Sequence, residues 1–403
     1  MRFGARWAGT GLLLPPSGIA RESICAPDVY GRRDGAVIVN VAVDARALTG
    51  SRGVTRYTRF LLEAMAREFP RDRWLLFAPG RGDLPGAQAL EAMANVSIRR
   101  HPLPGRALYG TAAVARRPRL DRLVPVSPDV LWVPAIAPLA MSDNVPLVLT
   151  VHDLSFELRP GDFTVYERLW HRLARPRALA GRARLVIVPA QSTRDLLTAR
   201  WGLDPDRIHV VAEGVDSLPS SDRAGILRRL GLERDGYLLA VGALEPRKAP
   251  VLLQGAYRAA RAQGLQAALV FVGEGRLAGQ LGGPGVRLLG RVSDRALDAL
   301  YDGALALVTA SLLEGYGLPV REALARGTPA IVSDLPAFGP ELSDAIVKVP
   351  AGEEPPLTAA LLALARDERL RHSLAEAAPR AVAGLTWTAA ALRTRALLEQ
   401  GCS

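Results

Sequence analysis

From residue 37 onward, short apolar runs alternate with stretches of helical spacing. The run VIVNVAV at 37–43 is nearly continuous and β-branched, as a strand buried on both faces of a parallel sheet requires. A glycine-bearing loop through Gly50 and Gly53 follows. Residues 56–68 then place Phe60, Leu61, Ala64 and Met65 on one helical face. Further strands are predicted at 74–78, 96–100, 130–133, 147–151, 185–189 and 208–211, with helices between several of them. Residues 214–222 are polar and turn-rich and read as a linker. The pattern then restarts, with strands at 237–242, 268–273, 286–289, 304–308 and 330–333. Helices are predicted at 250–263, 295–302 and 319–325, a helical region at 357–378 and a last helix at 388–400. The expected fold class is α/β: two doubly wound halves facing across a cleft.

The chain of 403 residues is long enough for two cores. Aromatic content of 5% leaves those cores to Leu, Val and Ala. The net charge of +11 has two readings. One is arginine-rich composition, since only Lys248 and Lys348 are lysines. The other is attraction to phosphorylated partners or an anionic membrane. Two cysteines at opposite ends, Cys25 and Cys402, give neither a disulfide framework nor metal-ligand spacing, which fits a reducing cytosol. Residues 1–36 differ from the rest and read as a disordered extension or an over-called start. No stretch has the ~18–20 uninterrupted apolar residues of a membrane span.

The most informative string is SLLEGYGLPVREALARGTPAIVSDL at 311–335. Glu314 follows a strand, Gly315 and Gly317 permit a sharp turn and close approach, and Pro319 suits a first helical turn. Free backbone N–H groups and a helix N-terminus thus point at one place, which suits a phosphate. Glu314 and Glu322 flank it as acceptors for hydroxyls. Taken alone, Glu322 would merely complement the helix dipole; the whole string argues for a site. In VGALEPRKAP at 241–250, Arg247 and Lys248 precede a helix and can clamp a diphosphate, one as a fork and one as a point charge. A basic turn is the plain alternative, against which stands a lysine in a chain that otherwise uses arginine. In TVHDLS at 150–155, His152 is either a ligand to a substrate hydroxyl or phosphate, or a structural partner of Asp153.

Other features lead elsewhere. Asp204-Pro-Asp206 reads as a turn rather than a metal motif. Gly273-Glu-Gly275 lacks the third glycine and acidic partner of a dinucleotide loop. The basic stretches at 116–119 and 168–184 fit an anionic membrane surface or a solvated helix face equally. Nucleic-acid binding is disfavoured because no aromatic platform accompanies the charge.

On these residues the chain resembles glycosyltransferase family 4, the retaining GT-B enzymes that include many bacterial mannosyltransferases. The match is carried by Glu314 to Glu322 with the following GTPA, by EPRK at 245–248, HDL at 152–154, VAEGVD at 211–216 and LTW at 385–387. The resemblance implies a GT-B fold with an N-terminal acceptor-side domain at 37–215 and a nucleotide-sugar domain at 223–385. A helix at 386–403 would cross back to the first domain. It implies that Arg247 and Lys248 hold a donor diphosphate, Glu314 the donor-sugar hydroxyls and Glu322 the ribose. The backbone of Gly317 and Leu318, and Gly53 from the first domain, would reach the β-phosphate. His152 would contact the donor sugar, and Arg291 and Val292 would lie by the base. The implied catalytic set is His152, Arg247, Lys248 and Glu314, with no cofactor and no metal. The implied donor is GDP-mannose first and a UDP-sugar second. The implied acceptor is a glycan or lipid-linked intermediate of surface polysaccharide or glycolipid synthesis. From the cysteines and the basic stretches, rather than the resemblance, the expected location is cytoplasmic, with the inner face of the plasma membrane as the place of any peripheral contact. Three positions depart from the family pattern: Thr55 replaces a second loop glycine, Ala249 an asparagine, and Gly-Pro-Glu at 339–341 varies the usual string.

Overall fold

The computed structural model describes residues 38–50, 53–81, 84, 86–216 and 222–402. The predicted extension at 1–36 and most of the predicted linker lie outside these residues. The first half holds β1 (Asn40–Asp44), β2 (Arg73–Pro79), β3 (Val96–His101), β4 (Val130–Val133), β5 (Leu147–Thr150), β6 (Leu185–Val188) and β7 (Ile208–Val210). They form one sheet in the order β3-β2-β1-β4-β5-β6-β7. The second half holds β8 (Tyr237–Val241), β9 (Ala268–Val272), β10 (Val286–Leu288), β11 (Ala306–Thr309), β12 (Ala330–Ser333) and β13 (Ile346–Val349), ordered β10-β9-β8-β11-β12-β13. Every neighbouring pair is parallel. The strand order reverses direction between β1 and β4 and again between β8 and β11. Ligands bind such sheets at these switch points, beyond the strands' C-terminal ends.

The predicted elements recur with shifted edges. β1 begins at Asn40 and continues through Asp44, where Val41 pairs with both Trp74 and Val130. The predicted 304–308 strand slides to Ala306–Thr309 because Ala304 closes the preceding helix. The predicted helical region at 357–378 is two helices, Glu354–Arg366 and Glu368–Ala381. Asp367 divides them and caps the second through the Leu370 N–H (2.9 Å). β13 was not anticipated: it is an edge strand of four residues with an exposed Lys348, too short and too polar to announce itself. Asp204 caps a single 3₁₀ turn through the Asp206 N–H, as expected of a turn.

The last helix, Trp387–Cys402, returns to the first sheet. Trp387 stacks on Phe60 at 5.6 Å, and Ala390, Ala391 and Leu398 join the core beside Val41 and Trp74. Arg395 forks onto the buried Asp72. The two crossings between halves lie side by side, since the Val215 N–H donates to the Leu385 carbonyl and Asp216 accepts from the Trp387 N–H. Among the described residues no helix is long and apolar enough to cross a membrane.

Candidate active site

The second half supplies one wall of the cleft. β8 ends at Val241, and the turn Pro246–Lys248 sets Arg247 and Lys248 beside the end of β11. The turn is fixed to the loop after β11 by the Leu312 N–H, which donates to the Arg247 carbonyl at 2.8 Å. Lys248 Nζ meets Glu314 Oε1 at 2.5 Å, and Ser311 Oγ donates to the same oxygen at 2.7 Å. Burial pushes the Lys248 ammonium below its ordinary pKa, a trend that Glu314 opposes. Ala249 adopts a left-handed conformation (φ 45°), the position where the family pattern has asparagine, which tolerates that conformation at lower cost.

The Glu314–Glu322 string makes the junction between halves. At Gly315 a side chain would collide with the His152 carbonyl, so only glycine lets the two backbones approach. Tyr316 OH donates to the Glu213 carbonyl at 3.0 Å. Gly317 takes φ 75° and opens the helix Leu318–Leu324, where Leu318 is buried. Glu322 is 3% exposed. Its Oε2 accepts from Tyr301 OH (2.8 Å), and its Oε1 from Arg56 Nε of the first half (2.5 Å). Arg56 Nη1 and Arg59 Nη2 both reach Asp294, each at 2.5 Å.

The first half supplies the facing wall. His152 and Asp153 follow β5. His152 Nε2 lies 2.9 Å from the Pro134 carbonyl, and Nδ1 lies 3.3 Å from Glu213 Oε1. A carbonyl on one side and a carboxylate on the other favour a doubly protonated ring. Burial works against that charge, but Glu213, with the Pro134 carbonyl and Asp153, holds the His152 pKa above its usual value. The edge of the ring packs on Tyr57 at 4.6 Å. The structural partner of His152 is therefore Glu213, not Asp153. Asp153 instead accepts from the Ser155 N–H at 2.8 Å. Burial would raise its pKa, yet the Arg247 charge across the cleft, with the Ser155 bonds, brings it below normal.

Of the predicted residues, Arg247, Lys248, Glu314, His152 and the Gly317–Leu318 backbone gather around the junction. Gly53 opens the helix Gly53–Glu68 with free space over its Cα. Thr55 ties its loop down by donating to the Ala47 carbonyl at 2.7 Å. Arg291 is 62% exposed and 3.2 Å from Glu274, while Val292 packs on the core of the second half. A small cavity of about 30 Å³ lies against Lys248, Gly242 and Thr309. A larger groove of about 620 Å³, lined by Gln263, Glu354 and Arg366 among others, shares no residue with the site. Among the described residues no three His, Cys, Asp or Glu side chains converge as a metal site. Sequence reasoning missed Arg56, Arg59, Tyr301 and Asp294. Glu213 lies in the VAEGVD string, where nothing in the spacing ties it to His152. The one available signal was position: Arg56 follows the Gly53 loop, and Asp294 follows Val292 by two residues.

The fold is that of GT-B glycosyltransferases. Anabaena Alr3699/HepE, solved in complex with UDP-glucose, superposes with a TM-score of 0.67 at 19% identity over 90% of this chain and 100% of that one. Sucrose-phosphate synthase from Thermosynechococcus elongatus gives 0.65 at 18% identity, over 90% and 98%. Residues 51–217 match the Glycosyltransferase Family 4 model and residues 223–381 the Glycosyl transferases group 1 model. A D-inositol 3-phosphate glycosyltransferase of Frankia alni is 32% identical over 64% of this chain and 70% of its own length. A phosphatidyl-myo-inositol mannosyltransferase of Mycobacterium leprae is 32% identical over 50% and 60%. The chain belongs to glycosyltransferase family 4 and is a hexosyltransferase.

Proposed function

We propose that the enzyme moves a hexose, with retention at the anomeric carbon, from a nucleoside diphosphate sugar to a glycan or lipid-linked acceptor. Mannose from GDP-mannose is the first choice of donor and a UDP-sugar the second. The carrying observation is the Arg247–Lys248 turn held against Glu314 beyond β8 and β11. In the reaction the bond from the anomeric carbon to the β-phosphate oxygen breaks, and its electron pair leaves with the diphosphate. The acceptor oxygen bonds to that carbon on the same face, and its proton passes to the leaving group. Arg247 and Lys248 meet the growing negative charge without a metal. At an effective dielectric near 20, each close cation is worth up to ~4 kcal/mol before desolvation. Glu314, freed from part of its bond to Lys248, accepts sugar hydroxyls, and Glu322 accepts the ribose.

His152 has a narrower role in this reading. With both ring nitrogens committed inside the first half, it orders the Gly315 junction and lends positive charge near the sugar. Mannosyltransferases among the relatives support a mannose donor. The arginine-rich stretches of the first half support peripheral contact with an anionic membrane at the cytoplasmic face. A panel of GDP-, UDP- and dTDP-sugars scored by thermal shift tests the reading. Stabilisation by GDP-mannose above the others is expected. Stabilisation by UDP-sugars instead moves the donor to the second choice, and a flat response across the panel overturns the donor site.

A further inference from the structure

The carboxylate read above as the ribose acceptor already has an occupant. Glu322 is buried, with Tyr301 OH on one oxygen and Arg56 Nε on the other. Arg56 comes from the first half, 266 residues away in sequence. Its guanidinium also reaches Asp294 Oδ1 at 2.5 Å, and Arg59 from the next turn of the same helix takes Asp294 Oδ2 at 2.5 Å. Phe60 lies under both guanidinium groups, at 4.8 and 4.2 Å. Two arginines of the Gly53–Glu68 helix are thus clamped to two carboxylates of the second half.

We propose that Arg56 is a built-in competitor for the ribose: a nucleoside diphosphate binds only as the guanidinium gives up Glu322 Oε1. Removing Arg56 from Glu322 does not strand its charge, because Asp294 still holds Nη1 and lies beside Arg59. The guanidinium therefore swings about Asp294 rather than entering solvent. Part of the binding free energy of the nucleotide goes into breaking a buried pair, which weakens its apparent affinity. The same exchange cuts one of the ties between the halves, so donor entry loosens the Gly53–Glu68 helix from the second half. The proposal rests on the reading of Glu322 as the ribose acceptor.

The test is calorimetric titration of the full chain with GDP and UDP, and with their 2′-deoxy forms, for the wild type, Arg56→Met and Asp294→Asn. Arg56→Met is expected to tighten binding of the preferred nucleotide by about tenfold, since the ligand no longer displaces a cation from a buried carboxylate. The gain should shrink for the 2′-deoxy form, which offers Glu322 one hydroxyl fewer. Asp294→Asn, which loosens the clamp without touching Glu322, should tighten binding by a smaller factor and serves if Arg56→Met does not fold. Unchanged or weaker binding in the variants, with the wild type binding normally, overturns the competitor role and makes Arg56 a positioning residue for Glu322. Absence of nucleotide binding in wild type and variants alike overturns instead the donor-site reading beneath it.

Discussion

The two glutamates of one string meet opposite fates. Glu314 pairs inside its own half with Lys248 and Ser311, while Glu322 pairs across the cleft with Arg56. Eight positions apart, Glu314 lies in the loop before Gly317 and Glu322 inside the short helix Leu318–Leu324 that follows. The first pair lies wholly within the second half, beside the turn that carries Arg247. The second joins the two halves. Charge handling and ribose recognition are thus divided between the loop and the helix that follows it, and substitutions at the two should fail differently.

Lys248→Ala should have the largest effect. Transfer from the preferred sugar nucleotide should fall ~10²-fold or more in kcat, because the lost cation acts on charge that develops in the transition state. The same loss in Arg247→Ala would extend the rule to the whole turn, and near-normal turnover in both would break it. Glu322→Gln should differ in kind: KM for the donor rises about tenfold while kcat moves little, the mark of an interaction equal in ground and transition states. A fall in kcat alone would erase the contrast between the two glutamates. Smaller still, Asp294→Asn should lower stability by about 1 kcal/mol in urea unfolding, as for partly exposed charge pairs. Its loss should vanish in an Arg56→Met, Arg59→Met background.

The smallest effect concerns the wall that faces both glutamates. His152 has a raised pKa in the folded state, so the stability it contributes is full below its unfolded pKa, near 6.5. That contribution is lost as pH rises through the folded-state value. Unfolding midpoints measured from pH 6 to 9 should therefore decline more in the wild type than in Glu213→Gln. Parallel profiles would mean that His152 is neutral and bound by the Pro134 carbonyl alone.

The strands were legible because buried parallel strands need apolar runs, and VIVNVAV at 37–43 or LVLT at 147–150 can be little else. The Glu314–Glu322 loop was legible because its glycines, proline and carboxylates are close in sequence and act together. Two kinds of feature escaped. One was local and polar: β13 with Lys348 in its centre, and the Asp367 break within a run of good helix formers. The other was distant. Arg56 to Glu322 and His152 to Glu213 join residues far apart in the chain, and no spacing rule connects them. In an arginine-rich chain, nothing in the local pattern marks Arg56 and Arg59 as residues that reach the other half.

The direct test is the affinity difference between a nucleoside diphosphate and its parent nucleoside, measured by calorimetry in the wild type and Lys248→Ala. If Lys248 answers the diphosphate beside Glu314, the wild type should bind GDP or UDP far more tightly than guanosine or uridine. Most of that margin should disappear in the variant while nucleoside affinity stays the same. An undiminished margin in Lys248→Ala would contradict the assignment of this turn to the diphosphate.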